Sequence, residues 1–139
     1  MIDAAINTLL KANGPVSALV AARIYPLRVP QSETLPAIAI QRTKDEELQT
    51  LGGPIGPAEG HVVITAWADT ALAAKALGDT IVEELRGFRG IVGNYRFQGI
   101  FVRSIRDDDA QPDPGADTTV YGTTIECDVF AEMRHRPRH

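Results

Sequence analysis

The stretch from Gly60 to Gly90 constrains this chain more than any other. It begins GHVVITAWAD and continues TALAAKALGDTIVEELRGFRG. Val62, Val63, Ile64, Thr65, Ala66 and Trp67 form a short run rich in β-branched and aromatic residues, bounded by Gly60 and Asp69. That length and composition select a strand over a helix. Both faces of the strand carry apolar residues, so cover is expected on both sides. Asp69 or Thr70 can then cap a helix, a side-chain oxygen accepting from an otherwise orphan backbone N–H. Ala73, Leu77, Ile81 and Leu85 recur every four residues, with Ala74 and Val82 beside them. The spacing predicts one long helix over 70–86 with a single apolar stripe. Lys75, Asp79, Glu83 and Glu84 take its other side. Gly87 suits the position after the helix, where glycine adopts the left-handed conformation cheaply. Gly78, inside the helix, costs about 1 kcal/mol relative to alanine. The plainer reading of Gly78 is tolerance; the other is close packing on a sheet.

The remaining elements are shorter. Residues 3–12 read as an N-terminal helix, with Ile6, Leu9 and Leu10 inward and Asn13-Gly14-Pro15 stopping it. Residues 16–20 suit one more helical turn. Arg23 to Pro26 lead into a loop with prolines at 26, 30 and 36. A strand is expected over 36–48, with Ile38 and Ile40 on one side and Ala37 and Ala39 on the other. Its end, Lys44 to Glu47, reads as a solvated edge. Residues 51–60, LGGPIGPAEG, read as a loop. Gly93-Asn94 suits a tight hairpin between Ile91-Val92 and Tyr95-Arg96-Phe97. The second arm continues to Ile105, with Phe97, Phe101 and Ile105 on one face and Ile100 and Val102 on the other. Residues 107–117 are acidic and hold two prolines, so they read as loop. The cleanest strand covers 118–132, with Tyr121, Ile125, Cys127 and Val129 facing one way and Thr124, Glu126 and Asp128 the other. The expected fold is α+β: a small, mainly antiparallel four-stranded sheet, packed by the helix at 70–86 and a short N-terminal helix. Residues 1–133 form a single domain on this reading, and 134–139 a basic, disordered tail. Where the helices leave an apolar sheet face bare, a partner subunit is expected to cover it.

At 139 residues the chain is long enough to bury its own core. No apolar run approaches the roughly 20 residues that span a bilayer, so no membrane partner is expected. The N-terminus lacks a basic region followed by an apolar block, so no secretory leader is expected. The one cysteine, Cys127, cannot form an internal disulfide, which suits a reducing compartment. The net charge of −4 argues against one broad basic surface for nucleic acid. Arg134, Arg136 and Arg138 crowd the last six residues, so the rest of the chain is more acidic still.

A search for chemistry finds none. His61, His135 and His139 share no metal-ligand spacing with a cysteine or carboxylate. The glycines at 52, 53, 56 and 60 lack the lysine of a phosphate loop, and prolines stand among them. Asp107-Asp108-Asp109 lacks the spacing and terminal glutamate of a calcium loop. Cys127 lies on an apolar strand face, where a thiol is inert. Trp67 reads as a core anchor. The residues therefore nominate no catalytic, cofactor-binding or metal-ligating side chain and no cofactor, and no enzymatic activity is expected.

The order of small motifs carries more than any one of them. Arg23-Ile24-Tyr25-Pro26 is followed by Pro30-Gln31, then by Leu35-Pro36 opening a strand. Trp67-Ala68 precedes an alanine-rich helix ending at Leu85 and Gly87; Gln98-Gly99-Ile100 and a long final strand with Tyr121 follow. Over roughly residues 3–131 the chain resembles the tail completion, or tail terminator, family of long-tailed bacteriophages, prophages and gene-transfer particles. It departs from the pattern at Ala37, where an aromatic is common, at Phe130, where a tryptophan is common, and in the long, proline-rich acidic segment at 107–117. The resemblance implies a structural virion protein that assembles in the host cytoplasm. It implies a homo-oligomeric ring, commonly a hexamer, at the head-proximal end of the tail tube. The implied partners are the tail tube protein and the head connector, with DNA passing through the lumen unbound. A head-closure or other minor tail protein is the alternative, and a small ligand-binding domain a more distant one.

Overall fold

The computed structural model describes residues 2–12, 14–21, 23–26, 36–47, 57–93, 95–110 and 120–133. The elements run α1 (Ile2–Ala12), α2 (Gly14–Val20), β1 (Ile24–Pro26), β2 (Ala37–Glu47), β3 (Pro57–Ala68), α3 (Ala71–Leu85), β4 (Gly90–Val92), β5 (Tyr95–Ala110) and β6 (Val120–Met133). One sheet orders them β1-β2-β3-β6-β5-β4. Only β1 with β2 is parallel; every other neighbouring pair is antiparallel.

Among the described residues the architecture corrects the expected four strands and two helices to six strands and three helices. Ile24 to Pro26 is a strand rather than a loop entry, set in register with Ile38 to Ile40. Pairing extends three elements beyond their apolar segments. Lys44 to Glu47 stays on the ladder against His61 to Ala58, Pro57 to Gly60 opens β3, and Asp107 to Ala110 closes β5. Backbone pairing tolerates charged residues at a sheet margin, where they also deter wrong associations.

The long helix forms as its pattern dictates. Thr70 Oγ1 accepts from the Ala73 N–H at 3.1 Å, and Gly87 follows the helix at φ 73°. The Gly87 N–H donates to the Ile100 carbonyl at 3.1 Å, tying the helix end to β5. Ala74, Leu77, Ile81, Val82 and Leu85 are buried. Each large apolar side chain removed from water contributes on the order of 2 kcal/mol. Leu77, Ile81, Val82 and Leu85 pack with Ile6 and Leu10 of α1, Val16 and Val20 of α2, and the sheet residues Ile38, Ile40, Val62, Ile64, Ala66, Ile125, Cys127 and Val129 in one cluster. All three helices thus lie on one face of the sheet. The first helix joins this cover, and among the described residues no helix lies on the second face.

Gly78 is present for close approach, not by tolerance. A Cβ on it would stand 2.7 Å from Thr123 Cγ2, so its absence lets α3 settle onto β6.

Strand β5 breaks the predicted alternation. Register shifts fall between Phe97 and Gly99 and between Val102 and Ser104. Each bulge inserts one residue and flips the faces beyond it. Phe97 and Ile100 therefore both lie in the core, at 1% and 0% exposure, although their numbers differ by three. Phe101 moves to the opposite face and is 57% exposed. Ile105, paired with Ile125, returns to the helix side near the margin.

Candidate interaction face of the sheet

The helix-free face is built from alternate residues of the four long strands. β2 contributes Ala37 and Ala39, both buried, and Gln41, exposed. β3 contributes His61, Val63, Thr65 and Trp67, all partly exposed. β6 contributes Thr124, Glu126, Asp128, Phe130 and Glu132, and β5 contributes Phe101, Ser104 and Arg106 by register.

At its centre Glu126 gathers three neighbours. The Ser104 hydroxyl donates to its Oε2 at 2.8 Å, Arg106 Nη1 donates to the same oxygen at 3.2 Å, and His61 Nε2 lies 3.7 Å from Oε1. The Ser104 hydrogen bond, opposed by partial burial and aided by the Arg106 and His61 charges, holds the Glu126 carboxyl below its ordinary value of 4.5. Beside it Arg103 Nε sits 3.4 Å from Asp128 Oδ2, and Gln98 Nε2 donates to Glu132 Oε2 at 3.4 Å. Thr65 Oγ1 and Thr124 Oγ1 are 3.5 Å apart.

Two aromatic features interrupt this polar belt. Phe101 meets Phe130 edge to face, ring centroids 5.6 Å apart, and also overlies Gly99. Trp67 lies over Gly122, where a Cβ would come within 2.8 Å of Cζ3. Trp67 is thus a half-buried residue of this face, not the core anchor its bulk suggested.

On the helix side, an open groove of about 260 Å³ lies between α3 and the start of β6, lined by Ala71, Lys75, Asp107, Tyr121 and Thr123. Lys75 Nζ is 3.6 Å from Asp107 Oδ2, and the Thr123 hydroxyl donates to Asp107 Oδ1 at 3.1 Å. Asp107 is therefore a paired strand residue rather than part of a free acidic loop. Cys127 is buried, and burial followed by the Asp128 charge pushes its thiol up to about 12. Among the described residues no cluster of His, Cys, Asp or Glu is placed to hold a metal ion. The tail at 134–139 and the glycine-rich segment at 51–56 lie outside the described residues. Among the described residues no helix is long and apolar enough to cross a membrane.

This face presents charge pairs, hydroxyls and an exposed ring. Arrangements of this kind suit contact with another protein surface: an apolar anchor surrounded by a polar rim. Sequence reasoning expected a partner on a bare sheet face but did not place these residues on it, because both bulges that aim Phe101 and Ser104 outward are invisible to simple alternation. Gly99, a glycine within a strand, is the one signal that marks the first of them.

A chain in the solved virion of a native gene transfer agent particle is similar in fold, with a TM-score of 0.64 at 19% identity over 94% of each chain. No curated protein matches the chain. The family described as tail completion protein gp17 matches residues 4–123, most of its length. The chain therefore belongs to the tail completion protein gp17 family and is a structural protein of a phage-like virion tail.

Proposed function

We propose that this protein is the terminator of a phage-like tail. Copies join head to tail in a ring, commonly six-fold, at the head-proximal end of the tail tube. The ring stops tube polymerisation and presents its other surface to the head connector. Its partners are further copies of itself, the tube protein and the connector protein.

The observation that carries this reading, given the family, is the sheet face that bears no helix among the described residues, with Phe101 57% exposed on it. A ring contact is heterologous and needs two different patches on each subunit. The sheet supplies unlike edges, one ending in β1 and one in β4 among the described residues. The net charge of −4 suits a lumen through which DNA slides, because like charge discourages sticking.

Mixing the purified protein with polymerising tube protein tests the proposal. A terminator binds one tube end and halts elongation there. Binding along the tube wall, or no effect on tube length, overturns the reading.

A further inference from the structure

Both margins of the sheet are only partly covered. β1 pairs with β2 at Ile38 to Ile40 and leaves the outer side of β2 from Gln41 to Glu47 without a neighbour among the described residues. β4 pairs with β5 at Tyr95 to Phe97, and Gly87 takes the Ile100 carbonyl; beyond that, Phe101 to Ala110 likewise borders no described strand. These uncovered segments lie at opposite ends of the sheet, since Glu47 shares its end with Tyr95 and Ala37 shares its end with Asp109. A long bare edge is a template for another strand.

The order of charge along the two edges names that strand. Along β2 the sequence runs Arg42, Lys44, Asp45, Glu46, Glu47, basic and then acidic. Along β5 it runs Arg103, Arg106, Asp107, Asp108, Asp109, also basic and then acidic. Laid antiparallel the two series are complementary; laid parallel they repel. Continuing the sheet from one copy to the next places β2 beside β5 antiparallel, because the two strands run in opposite directions within the sheet.

We propose that the 41–47 edge of one copy pairs antiparallel with the 102–108 edge of its neighbour, with Glu46 opposite Arg103 and Arg42 opposite Asp107. This rests on the ring reading and specifies its seam. In that register Lys44 meets Ile105 of the next copy. Within one chain, Lys44 shares its row with His61, Asp128 and Phe101. Because of the bulges, each copy is thus staggered by three to four rows of the sheet, about 10–13 Å at 3.3 Å per residue. A constant stagger tilts the strands, which is what closing a sheet into a barrel requires. The short strands flank the seam instead of blocking it: β4 lies past the end of the neighbour's β2, and β1 reaches only the Asp109 end of β5. They act as stops that exclude other registers.

The test is oxidative cross-linking in particles assembled with an E46C/R103C variant. A ladder of covalent multimers of this chain is expected, and none from E46C/D79C, whose second site lies on exposed α3. Normal particles containing the protein but giving no ladder overturn the seam and leave the ring reading standing. Absence of the protein from the tails of wild-type particles overturns both. Charge reversal supplies an independent arm. R103E and E46R singly are expected to cut the yield of intact particles at least tenfold, with E46R/R103E recovering most of it. Failure of the double variant to recover overturns the seam.

Discussion

Gly78 of α3 and Thr123 of β6 touch so closely that a Cβ on the glycine would stand 2.7 Å from Thr123 Cγ2. Threonine is stiff at χ1 and cannot turn away cheaply. Gly78→Ala gains about 1 kcal/mol of helix propensity and meets an overpacking cost of about 1–3 kcal/mol. A net loss of stability is expected in denaturant titration. Adding Thr123→Ala is expected to restore part of that loss, although it also removes the hydrogen bond to Asp107. An additive double variant contradicts the contact.

Gly122 stands in the same relation to Trp67, the chain's one tryptophan. Gly122→Ala is expected to displace the indole and destabilise by about 1–3 kcal/mol. Fluorescence reads both effects: a shifted native emission maximum and an earlier unfolding midpoint. Unchanged emission and midpoint contradict the placement of the ring.

The Glu126 carboxyl, held down first by the Ser104 hydroxyl, gives stability a defined pH dependence. Its folded pKa lies below its ordinary value of 4.5, so its contribution is fully present above pH 4.5. The contribution disappears as pH falls through the lower folded value. Glu126→Gln is expected to flatten the fall in melting temperature below pH 4.5 relative to the parent, and Ser104→Ala to flatten it in part. Parallel curves for all three proteins contradict the assignment.

Cys127, buried with its thiol pushed up to about 12, is expected to resist a disulfide-exchange reagent at pH 8 in the folded protein. It is expected to react fully once denaturant is added. Fast labelling of the native protein contradicts its burial in the core.

Much of the fold was legible because it follows local rules. Thr70, Gly87 and the four-residue apolar repeat bound α3 within a residue of its expected limits. Ile125, Cys127 and Val129 fell on the core side as their alternation required. β1 was not legible, since three residues ending in Pro26 gain their strand identity only from distant Ile38 to Ile40. The charged ends of β2 and β5 were assigned to solvent because charge resembles loop composition, whereas a ladder needs only backbone groups. The interaction face was missed through β5, where two bulges separate Phe97 from Phe101 and bring Phe97 to the side of Ile100. The family resemblance survived these errors because it rests on motif order, which bulges and edge extensions do not disturb.

The proposed role puts this protein at the upper end of the tail. Electron microscopy of particles from a producer strain lacking this gene tests it most directly. Filled heads separated from tails are expected, with tails that are unattached or irregular in length. Intact particles with tails of normal length would contradict it.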